Sequence, residues 1–264
     1  MLQSGFENGR KMTDLSKHHA LITGGGTGIG AAIALALAEA GATVTITGRR
    51  PEPLEEIASR SANIRMLLLD VTDEGQTEQT FRVAAEATGA IDIVVANAGI
   101  AETLPIGKSD LTFWRRTMAT NLDGAFLTMR AALPGMLENG WGRIIAISSI
   151  AGQKGLARGT AYCASKHGMI GLVRALAEET LAKNVTVNAI CPGYVRTPII
   201  TRSVANIVAK TGMTEEAALK VLTDTNPGGR LIEPEEVAAA ALWLCGPGSD
   251  AVTGQSIQIA GGHV

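Results

Sequence analysis

Tyr162 and Lys166 stand four positions apart in Tyr162-Cys163-Ala164-Ser165-Lys166, and Tyr162 is one of only two tyrosines in the chain. On a helix, positions i and i+4 share a face. An ammonium held beside a phenol favours the phenolate and lowers its pKa from about 10 towards working pH, which makes the tyrosine a usable proton donor and acceptor. Tyr162 is then an acid/base and Lys166 its tuner. Shortly before them, Ser148-Ser149 ends an apolar run that starts at Arg143. A hydroxyl there, at the carboxyl edge of a sheet, can hydrogen-bond a substrate oxygen whose charge develops during reaction. Cys163 and His167 read as packing residues, since no Ser/His/Asp arrangement surrounds them.

A second chemistry lies near the start. Thr23-Gly24-Gly25-Gly26-Thr27-Gly28-Ile29-Gly30 follows an apolar run and opens a helical pattern. A turn without side chains lets backbone N–H groups and a helix N-terminus approach a pyrophosphate, and a late glycine lets helix and strand pack closely. Gly26-x-Gly28-x-x-Ala31 satisfies the general dinucleotide pattern, but Gly24, Gly28 and Gly30 give the better register for a turn beginning at a strand end. An NAD-binding chain would carry a carboxylate about 20 residues on, for the ribose 2′-hydroxyl. This chain has Gly48, Arg49 and Arg50 instead. Two guanidinium groups suit a 2′-phosphate through charge-assisted hydrogen bonds, so the expected cofactor is NADP(H), with NAD as the alternative. Asp70, at the end of the third apolar run, either holds an adenine edge or caps the turn into Val71-Thr72-Asp73.

These residues need a frame, and the pattern supplies one. Short apolar runs alternate with amphipathic helical segments, the rhythm of βα units. Strands are expected at His19–Thr23, Thr43–Thr47, Ile64–Leu69, Ile91–Ala96, Arg143–Ser148, Val185–Ile190 and Ser256–Ile259. Most are continuous apolar runs, as expected of a parallel sheet covered on both faces. Helices are expected at Gly28–Ala40, Pro53–Ser59, Glu74–Thr88, Leu111–Asn139, Ala161–Lys183 and Pro234–Leu244, with Gly41 as a left-handed cap. The expected fold is a Rossmann-type, doubly wound α/β domain with seven parallel strands over residues 18–264. Residues 193–233 interrupt the rhythm with two weakly helical patches, Arg202–Lys210 and Thr214–Thr223. So long an insertion after a strand's carboxyl end reads as a substrate lid, or else as a helical hairpin at a subunit interface. Its Tyr194, Arg196, Ile199, Ile200, Arg202 and Val204 could line an apolar pocket with a basic rim.

The chain has 264 residues and a formal charge of −2, with 46% apolar residues. One α/β domain of this size can bury a full core. The charge balance offers no global basic field for nucleic acid, and no apolar run is long enough to span a membrane. Cys163, Cys191 and Cys245 lie 28 and 54 positions apart, which excludes a CxxC pair or zinc cluster and points to a reducing cytosol. Met1–Lys17 lacks the apolar region of a signal peptide and reads as a flexible leader, with Met12 as an alternative start.

Thr23–Gly30, Asn97-Ala98-Gly99, Asn121, Ser149, Tyr162-x-x-x-Lys166 and Pro192-Gly193, in this order and spacing, resemble the short-chain dehydrogenase/reductase family from His19 to Gly262. The resemblance implies a seven-stranded sheet and a catalytic set of Asn121, Ser149, Tyr162 and Lys166, with Ser149 chosen over Ser148 by its spacing to Tyr162. It further implies that Lys166 binds the nicotinamide ribose, that Asn121 holds a relay water, and that Asn97, Ala98 and Gly99 line the cofactor. Pro192, Gly193, Val195 and Thr197 would flank the nicotinamide carboxamide, and Gly24, Gly26, Thr27, Gly28, Ile29, Gly30, Asp70 and Val71 complete the cofactor set. Thr27 stands where many NADP-using relatives carry a basic residue, so the preference rests on Arg49 and Arg50. The implied reaction interconverts a carbonyl and a secondary alcohol by hydride transfer, with a 3-oxoacyl thioester, offered Lys154, Arg158, Arg196 or Arg202, as one alternative substrate. The implied assembly is a homotetramer using the C-terminal helix and strand and the helix after Tyr162.

Overall fold

The computed structural model describes residues 13–224 and 226–262. Seven parallel strands form one sheet in the order β3-β2-β1-β4-β5-β6-β7. They are β1 (His19–Thr23), β2 (Thr43–Gly48), β3 (Ile64–Leu68), β4 (Ile93–Ala96), β5 (Gly142–Ile147), β6 (Val185–Pro192) and β7 (Ser256–Ile259). The helices are α1 (Gly28–Glu39), α2 (Pro51–Ala58), α3 (Glu74–Thr88), α4 (Leu111–Met118), α5 (Gly124–Asn139), α6 (Thr160–Glu179), α7 (Pro198–Thr211), α8 (Glu215–Thr223) and α9 (Pro234–Cys245). The order reverses at β1, which pairs with β2 on one side and β4 on the other. A crevice therefore opens at the carboxyl ends of these strands, where doubly wound sheets bind ligands.

Each face of the sheet buries its own cluster. One joins Ile22, Ile46 and Ile145 to Ile33 and Leu37 of α1 and Leu244 of α9. The other joins Leu21, Val94 and Ile144 to Phe81 of α3, Met129 of α5 and Val173 of α6. Burying each such side chain contributes about 1.5–3 kcal/mol. Local chemistry sets the helix starts. Asp73 accepts the Gln76 N–H at α3 and Asp110 the Phe113 N–H at α4, while Pro198 and Pro234 occupy first-turn positions of α7 and α9. Gly41, with φ of 94°, follows α1 in the left-handed region, as expected.

The segment expected as one helix over Leu111–Asn139 is instead two helices joined by a π-helical turn, Ala119–Asp123. The wide turn carries Asn121, whose buried amide is bound to the backbone of Ile100. The helix expected to reach Lys183 ends at Glu179, because Ala182 and Asn184 have φ of 59° and 56°. Of the leader expected over Met1–Lys17, residues 1–12 and the alternative start Met12 lie outside the described residues. From Thr13 onwards the chain is part of the domain: Leu15 is 2% exposed and its N–H donates to Ala40 O at 2.7 Å. An apolar side chain and a backbone donor, both satisfied beside α1, outweigh the polar composition that suggested fraying. Among the described residues no helix is long and apolar enough to cross a membrane.

Candidate active site

The glycine turn is braced from β4. Thr23 Oγ1 accepts the N–H groups of Asn97 and Ala98, each at 3.1 Å. Asn97 Nδ2 donates back to the carbonyls of Thr23, at 2.9 Å, and Gly24, at 3.1 Å. Gly24 has φ of 66°, a left-handed conformation that favours glycine. Gly30 meets a closer limit: a Cβ there would lie 2.4 Å from Gly24 O. The turn and the strand ends border a cleft of about 770 Å³, within the range of small-molecule sites.

Gly24, Gly26, Thr27, Gly28, Ile29, Asp70, Val71, Asn97, Ala98 and Gly99 border this cleft, as do Arg49, Arg50, Tyr162, Lys166 and Thr197. Gly30 does not; it packs beneath the turn and shapes it. Pro192 and Val195 are buried, Val195 bridging to Ile232, and a Cβ at Gly193 would lie 2.9 Å from Asn226 Oδ1. Of the four residues expected around a carboxamide, only Thr197 is among those bordering the cleft, and the other three form the end of β6 and the stretch that leads into α7. Asp70 fills both of its alternatives in part. Its carboxylate accepts the Thr72 N–H at 3.1 Å and hydroxyl at 2.8 Å, which caps the turn, and it also faces the cleft. Partial desolvation works to raise its pKa, but the Thr72 hydrogen bonds and the charge of Arg49 hold it below the usual carboxylate range. Arg49 Nη1 lies 3.8 Å from Asp70 Oδ2, and both arginines are exposed.

The cradle fits a dinucleotide. Its floor is a tightly packed turn before the amino end of α1, where a Cβ at Gly24, Gly26 or Gly28 would lie 3.0 Å from Ala98, 3.1 Å from Pro53 or 2.9 Å from Thr197, and the charged residues on its border are four cations, Arg49, Arg50, Lys166 and Arg202, and one carboxylate, Asp70. A chain of net charge −2 thus concentrates positive charge where phosphates would lie.

Deeper in, α6 brings Tyr162 and Lys166 to the end of β5. Lys166 is 4% exposed and its Nζ donates to Ile147 O at 2.7 Å. Burial pulls its pKa down to about 8. Burial likewise pushes the Tyr162 phenol above its ordinary value, against the opposing pull of a hydrogen bond with Ser149. In the protein alone the direction is thus upward, opposite to the expected lowering, with Lys166 Nζ 5.9 Å from the Tyr162 ring centroid. Ser148 and Ser149 separate by direction. Ser148 borders the cleft and its Oγ donates to Lys166 O at 3.2 Å, whereas Ser149 Oγ accepts the Ala151 N–H at 3.1 Å and lies near enough to Tyr162 to pull the phenol pKa down. Asn121, fully buried, accepts the Ile100 N–H at 2.8 Å and donates from Nδ2 to Ile100 O at 3.0 Å and Ser165 Oγ at 3.1 Å. Both Nδ2 hydrogens are thus committed within the protein.

A smaller cavity of about 340 Å³ opens among Ile150, Lys154, Leu156, Tyr194, Asp224 and Pro227, between the Ser149–Tyr162 connection and the two ends of the inserted segment. Those ends are tied by Asn226, whose Oδ1 accepts the Tyr194 N–H at 3.2 Å and whose Nδ2 donates to Tyr194 O at 3.0 Å and Arg230 O at 2.8 Å. Sequence reasoning missed this residue, for which no motif exists; its one signal is its place before Pro227-Gly228-Gly229, a turn-forming composition. Arg196, expected on a basic rim, pairs with Glu233 at 3.0 Å.

The buried ammonium has a measurable cost. Because the folded pKa of Lys166 lies below its ordinary 10.5, the unfolded chain binds more protons between pH 8 and 10.5, and stability attributable to this group rises with pH through that window. The stability of the wild type minus that of Lys166→Met, from urea unfolding, should grow by about 2 kcal/mol from pH 7.5 to 9.5. A pH-independent difference would show that Lys166 keeps an ordinary pKa.

Comparison with known proteins agrees with this geometry. The short chain dehydrogenase family profile matches residues 18–207. The chain is 37% identical to a D-beta-hydroxybutyrate dehydrogenase of Rhizobium meliloti (strain 1021) over 194 residues, which cover 73% of this chain and 75% of that protein. It is 40% identical to a 2-keto-3-deoxy-L-fuconate dehydrogenase of Xanthomonas campestris pv. campestris over 210 residues, covering 79% of this chain and 67% of that one. A crystal structure of a point variant of actinorhodin polyketide ketoreductase with NADPH superposes with a TM-score of 0.90 at 32% identity, covering 94% of this chain and 98% of the other. The seven-stranded parallel sheet, the glycine turn under its crevice and the matched span show that the chain belongs to the short chain dehydrogenase family.

Proposed function

We propose that the protein is an NADP(H)-dependent oxidoreductase that interconverts a carbonyl and a secondary alcohol, with Tyr162 as acid/base. The observation that carries this reading is that Tyr162, Lys166 and Ser148, next to Ser149 in the chain, border the same dinucleotide-sized cleft as Arg49 and Arg50. A nicotinamide bound there supplies or accepts the hydride. Ser149 orients the substrate oxygen, and Tyr162 gives that oxygen its proton in reduction and takes it in oxidation. Lys166, held by Ile147 O, offers its remaining hydrogens to ribose hydroxyls and stays close to the phenol. Asn121 fixes the turn at Ile100 and, through Ser165, the helix that carries both groups. The segment 193–233 serves as the lid, with the smaller cavity beneath its ends as the room for the substrate's remainder. The kinship to a polyketide ketoreductase bound to NADPH supports the cofactor and leaves a 3-oxoacyl thioester among the substrates to try first. We further propose a homotetramer, on the exposed apolar Leu111, Phe126 and Leu137 of α4 and α5 and Trp243 of α9; light scattering that reads a monomer overturns it.

The test is a fluorescence titration with NADPH and NADH, repeated on Arg49→Asp/Arg50→Ala. NADPH should bind more tightly, and the variant should lose about tenfold or more for NADPH while gaining on NADH, since charge-assisted hydrogen bonds to the 2′-phosphate are removed. Preference for NADH in the unaltered protein would make an NAD-linked oxidative role the better reading.

A further inference from the structure

Arg202, expected on the rim of the substrate lid, is one of the four cations on the border of the cleft that holds the glycine turn. Its position follows from how α7 begins. A Cβ at Gly28 would lie 2.9 Å from Thr197 Cγ2 and 3.8 Å from Pro198 Cδ, so the start of α7 rests against the residue that opens α1. Thr201 and Arg202 follow Thr197 and Pro198 by four positions, which puts them on the same side of the helix. All four border the cleft.

Of the three arginines on the border of the cleft, Arg49 is loosely paired while Arg50 and Arg202 take part in no ion pair among the described residues. Arg196 is held by Glu233, Arg230 by Glu236 and, loosely, Arg49 by Asp70. Arg202 is exposed and, among the described residues, takes part in no ion pair. The helix that carries it has no fully buried residue, so α7 is lightly anchored and a ligand contact can contribute much to its placement. Arg49 and Arg50 stand past the end of β2, at the outer part of the cleft, whereas Arg202 rises from the helix seated on Gly28. A cation over the amino end of α1 meets the pyrophosphate, the part that NADPH and NADH share.

Resting on the dinucleotide function proposed above, we propose that Arg202 is a cofactor-binding residue that closes on the pyrophosphate from the α7 side, opposite the backbone N–H groups of the glycine turn. Through Arg202, cofactor binding then also holds α7 against the amino end of α1.

Full-length protein and its Arg202→Gln variant are titrated with NADPH and with NADH by fluorescence, with thermal melting as the control for folding. The variant should melt as the unaltered protein does and lose affinity for both dinucleotides by the same factor, about tenfold or more. Bound NADPH should slow proteolysis within residues 198–224 of the unaltered protein and protect the variant far less. Unchanged affinities in the variant overturn the proposal. A loss confined to NADPH also overturns it, since Arg202 would then read the 2′-phosphate. If the unaltered protein binds neither dinucleotide, the oxidoreductase function itself fails, an outcome separable from a failure of Arg202 alone.

Discussion

Tyr162→Phe should lower turnover by about 10²–10⁴-fold while leaving folding and cofactor affinity near those of the unaltered protein. The phenyl ring keeps the packing of α6 against the end of β5, so the change removes one hydroxyl and its hydrogen bond with Ser149. In the protein alone burial pushes the pKa of that hydroxyl up, which favours the protonated phenol. It is therefore ready to donate, which fits reduction; to accept a proton from an alcohol it needs further positive charge, which an oxidised nicotinamide ring carries. The rate of alcohol oxidation should accordingly rise with pH more steeply than the rate of carbonyl reduction. Ser149→Ala removes the orienting donor while leaving the acid and should cost about 10²–10³-fold. Steady-state rates in both directions, with a separate fluorescence measurement of cofactor binding, check all three. Turnover of Tyr162→Phe within tenfold of the unaltered protein would mean that another group transfers the proton.

The parts of this site that the sequence made legible are those written in local patterns. Glycines after an apolar run, a Tyr and a Lys on one helical face, and arginines after the second strand each follow from chemistry within a few residues. Short apolar runs were enough to place all seven strands, most of them continuous because a strand buried on both faces has little choice of residue. What stayed hidden depends on partners distant in sequence. The π-helical turn at Ala119–Asp123 exists where the amide of Asn121 is drawn to Ile100 and Ser165, and the turn itself contains no glycine or proline to announce a break. Asn226 joins Tyr194 to Arg230 across a segment whose composition says only "loop". Leu15 looked like part of a polar leader because its acceptor, Ala40 O, lies beyond the first strand and helix. The sign of the shift at Tyr162 was misread for the same reason: an i, i+4 spacing gives proximity, whereas the pKa is decided by how much water the surrounding sheet removes.

Gly30→Ala is expected to disable cofactor binding by about 100-fold and to cost about 1–3 kcal/mol of stability, a large effect for one methyl group. The added Cβ would lie 2.4 Å from Gly24 O and 2.5 Å from Asn97 Nδ2. Neither neighbour can yield cheaply. Gly24 is held in the left-handed region by a turn whose carbonyl accepts from Asn97, and Asn97 is in turn fixed by its own N–H donating to Thr23 Oγ1. To relieve the clash, α1 must withdraw from the strand end or the turn must rise into the cleft, and either movement displaces the N–H groups that face the pyrophosphate. Gly135→Ala in α5 is the matching control, because no atom lies within 4 Å of its added Cβ; in a helix interior it should stabilise by up to about 1 kcal/mol and leave NADPH affinity alone. Urea unfolding and NADPH titration on the pair decide the matter. If Gly30→Ala binds NADPH as the unaltered protein does, the turn is compliant and the pyrophosphate is not held by its backbone.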